Sequence, residues 1–193
     1  MGPVGEAKVQ FTTVGPKAAR GAKKATALLE EGQKFYPTDW LQRTRPIDAG
    51  TAKRGYHQDR GSRAEIKVSE RSAGITGTPG LPTAIHELGH EMEASVPFVA
   101  QVENAFYEWR TRGGTFDGPQ EQTRRLATIL KGHGYGRNEI TRTDQFADAY
   151  MGKAYGTGGV YELLTMGMQS LFAGDGAMDA EMQTWLLGLL AMV

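Results

Sequence analysis

The chain has 193 residues, 39% of them hydrophobic and 23% charged, which suits one domain, or one domain with an extension, able to bury a real core. Lys plus Arg and Asp plus Glu stand at 22 each, so no net field favours nucleic acid or an acidic membrane, and the basic stretch from Lys17 to Arg71 reads as surface texture. Cysteine is absent, which excludes disulfides and thiolate metal sites and leaves His, Asp and Glu to hold any metal.

At the N-terminus, MGPVGEAKVQF lacks the apolar centre of a signal peptide, so the expected location is the cytoplasm or a destination reached by a non-classical route. Val9, Phe11 and Thr13 alternate and predict a short strand or extended arm. Residues 18–35 mix Ala, Leu, Lys and Glu into a helix closed by Gly32 and Pro37. Trp40 and Leu41 follow as core anchors. Residues 50–62, rich in Gly, Arg and Lys, read as a mobile loop or hairpin connection, with His57 at the surface. Residues 63–71 are the clearest strand: Ala64, Ile66 and Val68 fall on one face, Glu65, Lys67 and Ser69 on the other.

A turn-rich GITGTPGLP then leads to a helix with Pro82 in its first turn, where a missing N–H costs nothing. Ser95 and Pro97 end it and open another, which carries Val99, Val102, Phe106 and Trp109 and stops at Gly113 and Gly114. Further helices are predicted over residues 119–131, 160–172 and 178–192. The apolar end TWLLGLLAMV is too short for a bilayer and is expected to dock as a terminal helix. The sum is an α+β chain, mostly helical, with a small sheet ahead of the central helix. Residues 1–62 are expected to lay an arm, helix and loop on a core formed by residues 63–193.

Residues 83–93 read TAIHELGHEME. Four apart on a helix, His86 and His90 share a face about one turn apart, and that spacing lets one zinc ion meet two neutral imidazoles at roughly 2.0–2.1 Å. In such an H-E-x-x-H helix Glu87 stands beside the metal-activated water as its general base. Leu81, Ala84, Ile85, Leu88 and Met92 make an apolar stripe, which predicts a dry face and a separate chemical face, and Gly89 leaves room for another segment. The alternative is a solvated helix face with two spare histidines.

A catalytic zinc generally has three protein ligands and an open position. No HExxHxxGxxH continuation follows, so the third ligand comes from elsewhere. Glu93 would have to bend back along its own helix. The downstream candidates are His133, Asp144, Asp148 and Glu162, with His133 in a glycine run that reads as surface loop. Glu162 opens VYELLTMGMQSLF, opposite an apolar face of Val160, Leu164, Gly167, Met168 and Leu171. It faces either a cleft or water.

HELGH at residues 86–90 resembles the zincin-type zinc metallopeptidases, and among them the gluzincin-style arrangement in which a glutamate on a later helix is the third ligand. The blocks DQFADAYMGKAYG and YELLTMGMQSLF are similar to the C-terminal part of small metallopeptidase-like domains of phage head-associated polypeptides and bacterial toxin or effector proteins. Tyr150, Gly152, Lys153 and Tyr155 match a Tyr-x-Gly-Lys/Arg-x-Tyr segment there, and Glu162, Thr165, Met166 and Gly167 match the helix after it. The likeness covers residues 63–172. It implies a zincin-like fold, Zn2+ as cofactor, and His86, His90 and Glu162 as its ligands. The chain departs from thermolysin-like patterns at Met166, where an aspartate four residues after the glutamate would orient that ligand. Of Tyr150, Tyr155 and Tyr161, Tyr155 in the YGTGG turn is the favoured oxyanion donor.

The function expected from sequence is therefore a zinc-dependent endopeptidase acting on a protein or peptide, with Glu87 and Tyr155 catalytic, no nucleic-acid partner and no membrane span. The peptide would add as a strand beside a sheet edge, with residues 63–71 as either that edge or an ordinary internal strand. A zinc-stabilised structural or interaction module of a phage or secretion assembly is the rival, although such a site has no use for Glu87. A metal-free helical interaction domain is the third reading.

Overall fold

An apolar stripe on a helix needs a surface to cover it, and here a four-stranded sheet provides one. The computed structural model describes residues 9–12, 19–132, 134–143, 146–154, 161–174 and 176–192. The first elements are β1 (Phe11–Thr12), α1 (Ala19–Gly32), α2 (Thr38–Leu41), β2 (Ile47–Thr51), β3 (Tyr56–Asp59) and β4 (Ala64–Val68). The sheet runs in the order β1-β2-β4-β3, with β1, β2 and β4 parallel and β3 antiparallel to β4. In β4 the alternation holds, since Ala64, Ile66 and Val68 are fully buried.

β4 is bonded on both sides, so the strand at residues 63–71 is internal, and the edge beside it is β3, with β1 at the other. Residues 50–62 are accordingly more than a loop: they supply the end of β2 and all of β3. Their pattern hides this. Gly50 interrupts β2, and three of the four β3 residues are exposed. The segment before residue 63 thus contributes strands to the same sheet as β4, beyond an arm, helix and loop.

Helices α3 (Leu81–Ser95) and α4 (Pro97–Arg110) follow, broken where Pro97 begins the second. A small antiparallel sheet comes next, built from β5 (Arg124–Arg125), β6 (Ile140–Thr141) and β7 (Lys153–Ala154), with the short α5 (Leu126–Ile129) between the first two. The helix expected over residues 119–131 is therefore reduced to one turn. Only Leu126 there is buried, and the backbone before it is engaged elsewhere: Glu121 N donates to the Thr111 carbonyl (2.7 Å) and Arg142 Nε to the Glu121 carbonyl (2.9 Å). The chain closes with α6 (Leu163–Ala173) and α7 (Ala180–Leu190). No helix of the described residues is long and apolar enough to cross a membrane.

α3 is the centre of the fold. Leu81, Ala84, Ile85, Leu88 and Met92 are buried against the sheet and α1, and each large aliphatic side chain so covered stabilises by about 1.5–3 kcal/mol. Tyr36 locks this side by donating to the Ile85 carbonyl (2.6 Å), and Trp40 sits buried and edge-on to Phe98. The far side of α3 is covered too. α6 lies along it at Gly89, and Glu87, Glu91 and Glu93 are buried as well. The expected open chemical face is instead a gap between sheet, α3 and α6.

Candidate metal centre

The imidazoles of His86 and His90 emerge at that gap with ring centroids 5.1 Å apart and planes at 85°. His86 Nε2 lies 3.1 Å and His90 Nε2 3.5 Å from Glu162 Oε2, and one ligand atom from each of the three residues lies within 4.8 Å of the others. Bonds of roughly 2.0–2.1 Å in a tetrahedral shell set ligand atoms about 3.3–3.4 Å apart, which these two contacts match. Each ring is held from behind: His86 Nδ1 is 3.0 Å from Gln169 Oε1, and His90 Nδ1 is 2.9 Å from Glu93 Oε2. With Nδ1–H donating to those oxygens, release of the Nε2 protons would turn both Nε2 lone pairs toward Glu162, the tautomer that metal ligation requires. Two imidazoles and a carboxylate are a catalytic-zinc donor set, so the residues present fit the ion.

Two devices bring Glu162 to histidines more than seventy residues away in sequence. Gly89 lets α6 touch α3, because a Cβ there would lie 2.8 Å from Thr165 Cγ2 and 3.1 Å from Thr165 Cα. Glu103, reaching across from α4, caps α6: its Oε1 accepts from Leu163 N (3.0 Å) and Leu164 N (2.9 Å), two N–H groups that a helix start leaves without intrahelical partners. Glu162 stands immediately before them. Its other neighbours are Thr165 Oγ1, 3.3 Å from Oε2, and Lys153 Nζ, 3.5 Å from Oε1.

The electrostatics are those of a cation site. Burial alone would raise the Glu162 carboxyl, but hydrogen bonds from His86 and His90 hold it well below the usual carboxylate range. Burial alone would lower His90, yet the charge of Glu93 and the bonds to Glu162 push it well above its ordinary value. Positive charge is thus stabilised between these groups, and a divalent ion would displace the protons that carry it. Glu93 and Glu103 are themselves buried carboxyls raised by desolvation. Each has one buried oxygen without a hydrogen-bond partner, Oε1 of Glu93 and Oε2 of Glu103.

The three residues line a cavity of about 350 Å³ together with Glu87. Glu87 is 5% exposed, and desolvation raises its carboxyl against the opposing pull of His86 and His90. Gly55, in the β2–β3 turn, makes room for it: a Cβ there would lie 2.7 Å from Glu87 Oε1. Arg54, His57, Tyr150 and Lys153 also line it.

His57 is therefore no surface residue. It points inward from β3 to a buried Glu91, with Nε2 2.9 Å from Oε2, and Arg45 grips the same carboxylate through Nε (3.1 Å) and a terminal nitrogen (2.7 Å). Burial would raise Glu91, but its bonds to His57, Arg45 and Ser95 bring it down to about 2.

The remaining sequence candidates separate cleanly. Glu93 lies behind His90. Asp148 is a turn former, its Oδ1 accepting from Tyr150 N (2.7 Å). Tyr161 bonds Asn104 (2.7 Å) and lies tilted against Tyr107, outside the cavity lining. Tyr150 lines the cavity, and its hydroxyl accepts from Lys153 Nζ (3.0 Å). Gly152 between them is obligatory, since a Cβ would run into the Arg142 carbonyl. Tyr155, His133 and Asp144 lie outside the described residues. Sequence reasoning gave no role to Gln169, Glu103 or Glu91. Of these only Gln169 carried a signal, two helical turns beyond Glu162 on the same face.

Comparison of the chain with protein-family models, curated proteins and solved structures gives no match.

Proposed function

We propose that this chain is a zinc-dependent endopeptidase in which His86, His90 and Glu162 hold the ion and Glu87 is the general base. One observation carries the reading: two imidazole Nε2 atoms converge on a single buried carboxylate oxygen, in a cavity that also holds a second buried carboxylate. Held by these residues, zinc would supply Lewis acidity toward a water and the scissile carbonyl. Glu87, on the same cavity, would accept a proton from the attacking water and return it to the departing amide nitrogen. Desolvation suits it to both steps by raising its carboxyl. Gln169 and Glu93 keep the two rings in register. Among the described residues, Tyr150 is the tyrosine we assign as oxyanion donor, because it lines the cavity with a lysine ammonium on its hydroxyl.

The substrate is an extended peptide laid along β3, the edge strand, whose Tyr56 and His57 line the same cavity. Arg60 N donates to the Arg63 carbonyl (2.9 Å) at the β3–β4 turn, and antiparallel bonding alternates from there. The backbone groups of His57 and Asp59 consequently point to the open side, available to a peptide strand.

The test is metal content and proteolysis of the wild type beside His86→Ala, Glu162→Ala and Glu87→Gln, with an unfolded protein mixture as substrate. The expected result is about one zinc per chain, lost in the first two variants and kept in the third, with cleavage only by the wild type. Cleavage retained by Glu87→Gln would refute the mechanism. Zinc held without cleavage would leave a structural zinc module.

A further inference from the structure

The cavity carries a cation that the proposed chemistry does not use. Arg54 lines it from the β2–β3 turn, one residue before Gly55, where a Cβ would lie 2.7 Å from Glu87 Oε1. Its side chain thus starts from backbone that abuts the proposed general base and leads into β3. The guanidinium lies over the Tyr135 ring, 5.8 Å from the centroid, and Tyr135 stacks on Tyr150 with centroids 5.4 Å apart. An aromatic face holds the plane of a guanidinium and leaves its edge, where the N–H donors are, to meet a carboxylate.

A carboxylate of the chain already sits between the two cations of this corner: Glu139 Oε1 lies 3.5 Å from a terminal nitrogen of Arg54 and 3.3 Å from Lys153 Nζ. That contact does not exhaust Arg54. The side chain is 62% exposed, the separation exceeds the about 2.7–2.9 Å of a charge-assisted hydrogen bond, and exposed pairs of this kind contribute little. Lys153, by contrast, is buried and also meets Glu162 Oε1 at 3.5 Å. Arg54 is therefore the cation placed to meet a ligand arriving from solution.

We propose that Arg54 forms a subsite for a carboxylate of the substrate, so that acidic peptides are cleaved in preference to basic ones. The inference rests on the endopeptidase reading above and adds the substrate class. An acidic group reaching Arg54 gains a charge-assisted hydrogen bond, while a Lys or Arg there meets the like charges of Arg54 and Lys153 in one cavity. The carboxylate belongs either to an Asp or Glu side chain near the scissile bond or to the end of the peptide.

The experiment uses the whole chain, zinc-loaded, as wild type, Arg54→Gln and Arg54→Glu, with folding checked by zinc content and thermal midpoint. Cleavage sites in an unfolded protein mixture are mapped by mass spectrometry. Values of kcat/KM then follow for end-blocked peptides that carry Glu, Gln or Lys at the position the map selects, and for the Gln peptide with a free C-terminus. Support is a preference of about tenfold for Glu over Gln in the wild type, with Lys poorest, a preference lost in Arg54→Gln and turned toward Lys in Arg54→Glu. A gain confined to the free C-terminus, and lost in the same variants, supports the subsite and assigns it to the chain end. Equal cleavage of all the peptides by the wild type, or an acidic preference that survives both substitutions, overturns the inference and leaves the endopeptidase reading standing. A zinc-loaded wild type that cleaves nothing overturns that reading and the inference with it.

Discussion

Replacing Gly89 by Ala sets two effects of opposite sign against each other, and the structure says which wins. On propensity alone, Ala in a helix interior is favoured over Gly by about 0.8–1 kcal/mol. At this position the new methyl would lie 2.8 Å from Thr165 Cγ2, and 3.1 Å from both Thr165 Cα and the Tyr36 hydroxyl. Ordinary carbon contacts are about 3.5–4.0 Å. The Thr165 methyl could rotate aside, but its Cα cannot, and Thr165 is fully buried. α6 must then retreat from α3 by about half an ångström or more. Overpacking of this kind costs about 1–3 kcal/mol, so the net expectation is a loss of up to about 2 kcal/mol. The larger consequence is at the site, because α6 carries Gln169, the partner of His86, and is preceded by Glu162. Zinc affinity should fall about tenfold or more, as when a ligand's support is displaced. Denaturant unfolding of the metal-free protein and a Zn2+ competition titration read the two effects separately. A Gly89→Ala protein more stable by about 1 kcal/mol, with wild-type Zn2+ affinity, would refute the close approach of α3 and α6 on which the site depends.

Arg45→Ala leaves Glu91 buried without its bidentate partner and should destabilise by about 3–5 kcal/mol in denaturant unfolding; Arg45→Lys should recover little of this, since an ammonium cannot reproduce the fork. Asp179→Ala removes the cap of α7, where Oδ1 accepts from Met182 N at 2.9 Å, at a cost of about 1 kcal/mol. Burial would raise the Asp179 carboxyl, but its bonds to Met182 N and Arg110 outweigh this and lower it from 3.8. Its contribution is therefore complete above the unfolded-state value and is lost as pH falls through the lower folded value. Stability curves of wild type and variant should converge below pH 3.8, and a difference that persists unchanged there would count against the assignment. Zinc at a thousandfold excess over its Kd stabilises a folded protein by about 4 kcal/mol, so a chelator should lower the thermal midpoint of the wild type and leave His86→Ala unmoved.

Local rules written into the sequence were enough for the central helix. Pro82 near its start, Ser95 and Pro97 at its end and the i, i+4 spacing of His86 and His90 are readable because helix geometry is set within a few residues. Period-two alternation marked β4 for the same reason. The edge at β3 was not readable, because its neighbours are chosen by pairing: a strand with one inward side chain, His57, shows no alternation to find. Residues 119–131 have helix-compatible composition, but bonds to Thr111 and Arg142 claim their backbone first.

The candidate site divides along the same line. Sequence by itself put His86, Glu87 and His90 on one helix and left Glu162 facing a cleft or water. What decided for the cleft was α6 lying against Gly89 and capped by Glu103, together with Glu93 and Gln169 behind the rings. Those contacts join side chains from α3, α4 and α6. Hydrogen bonds and close contacts depend on distance in space, which local periodicity does not encode, so only the folded chain could bring them together.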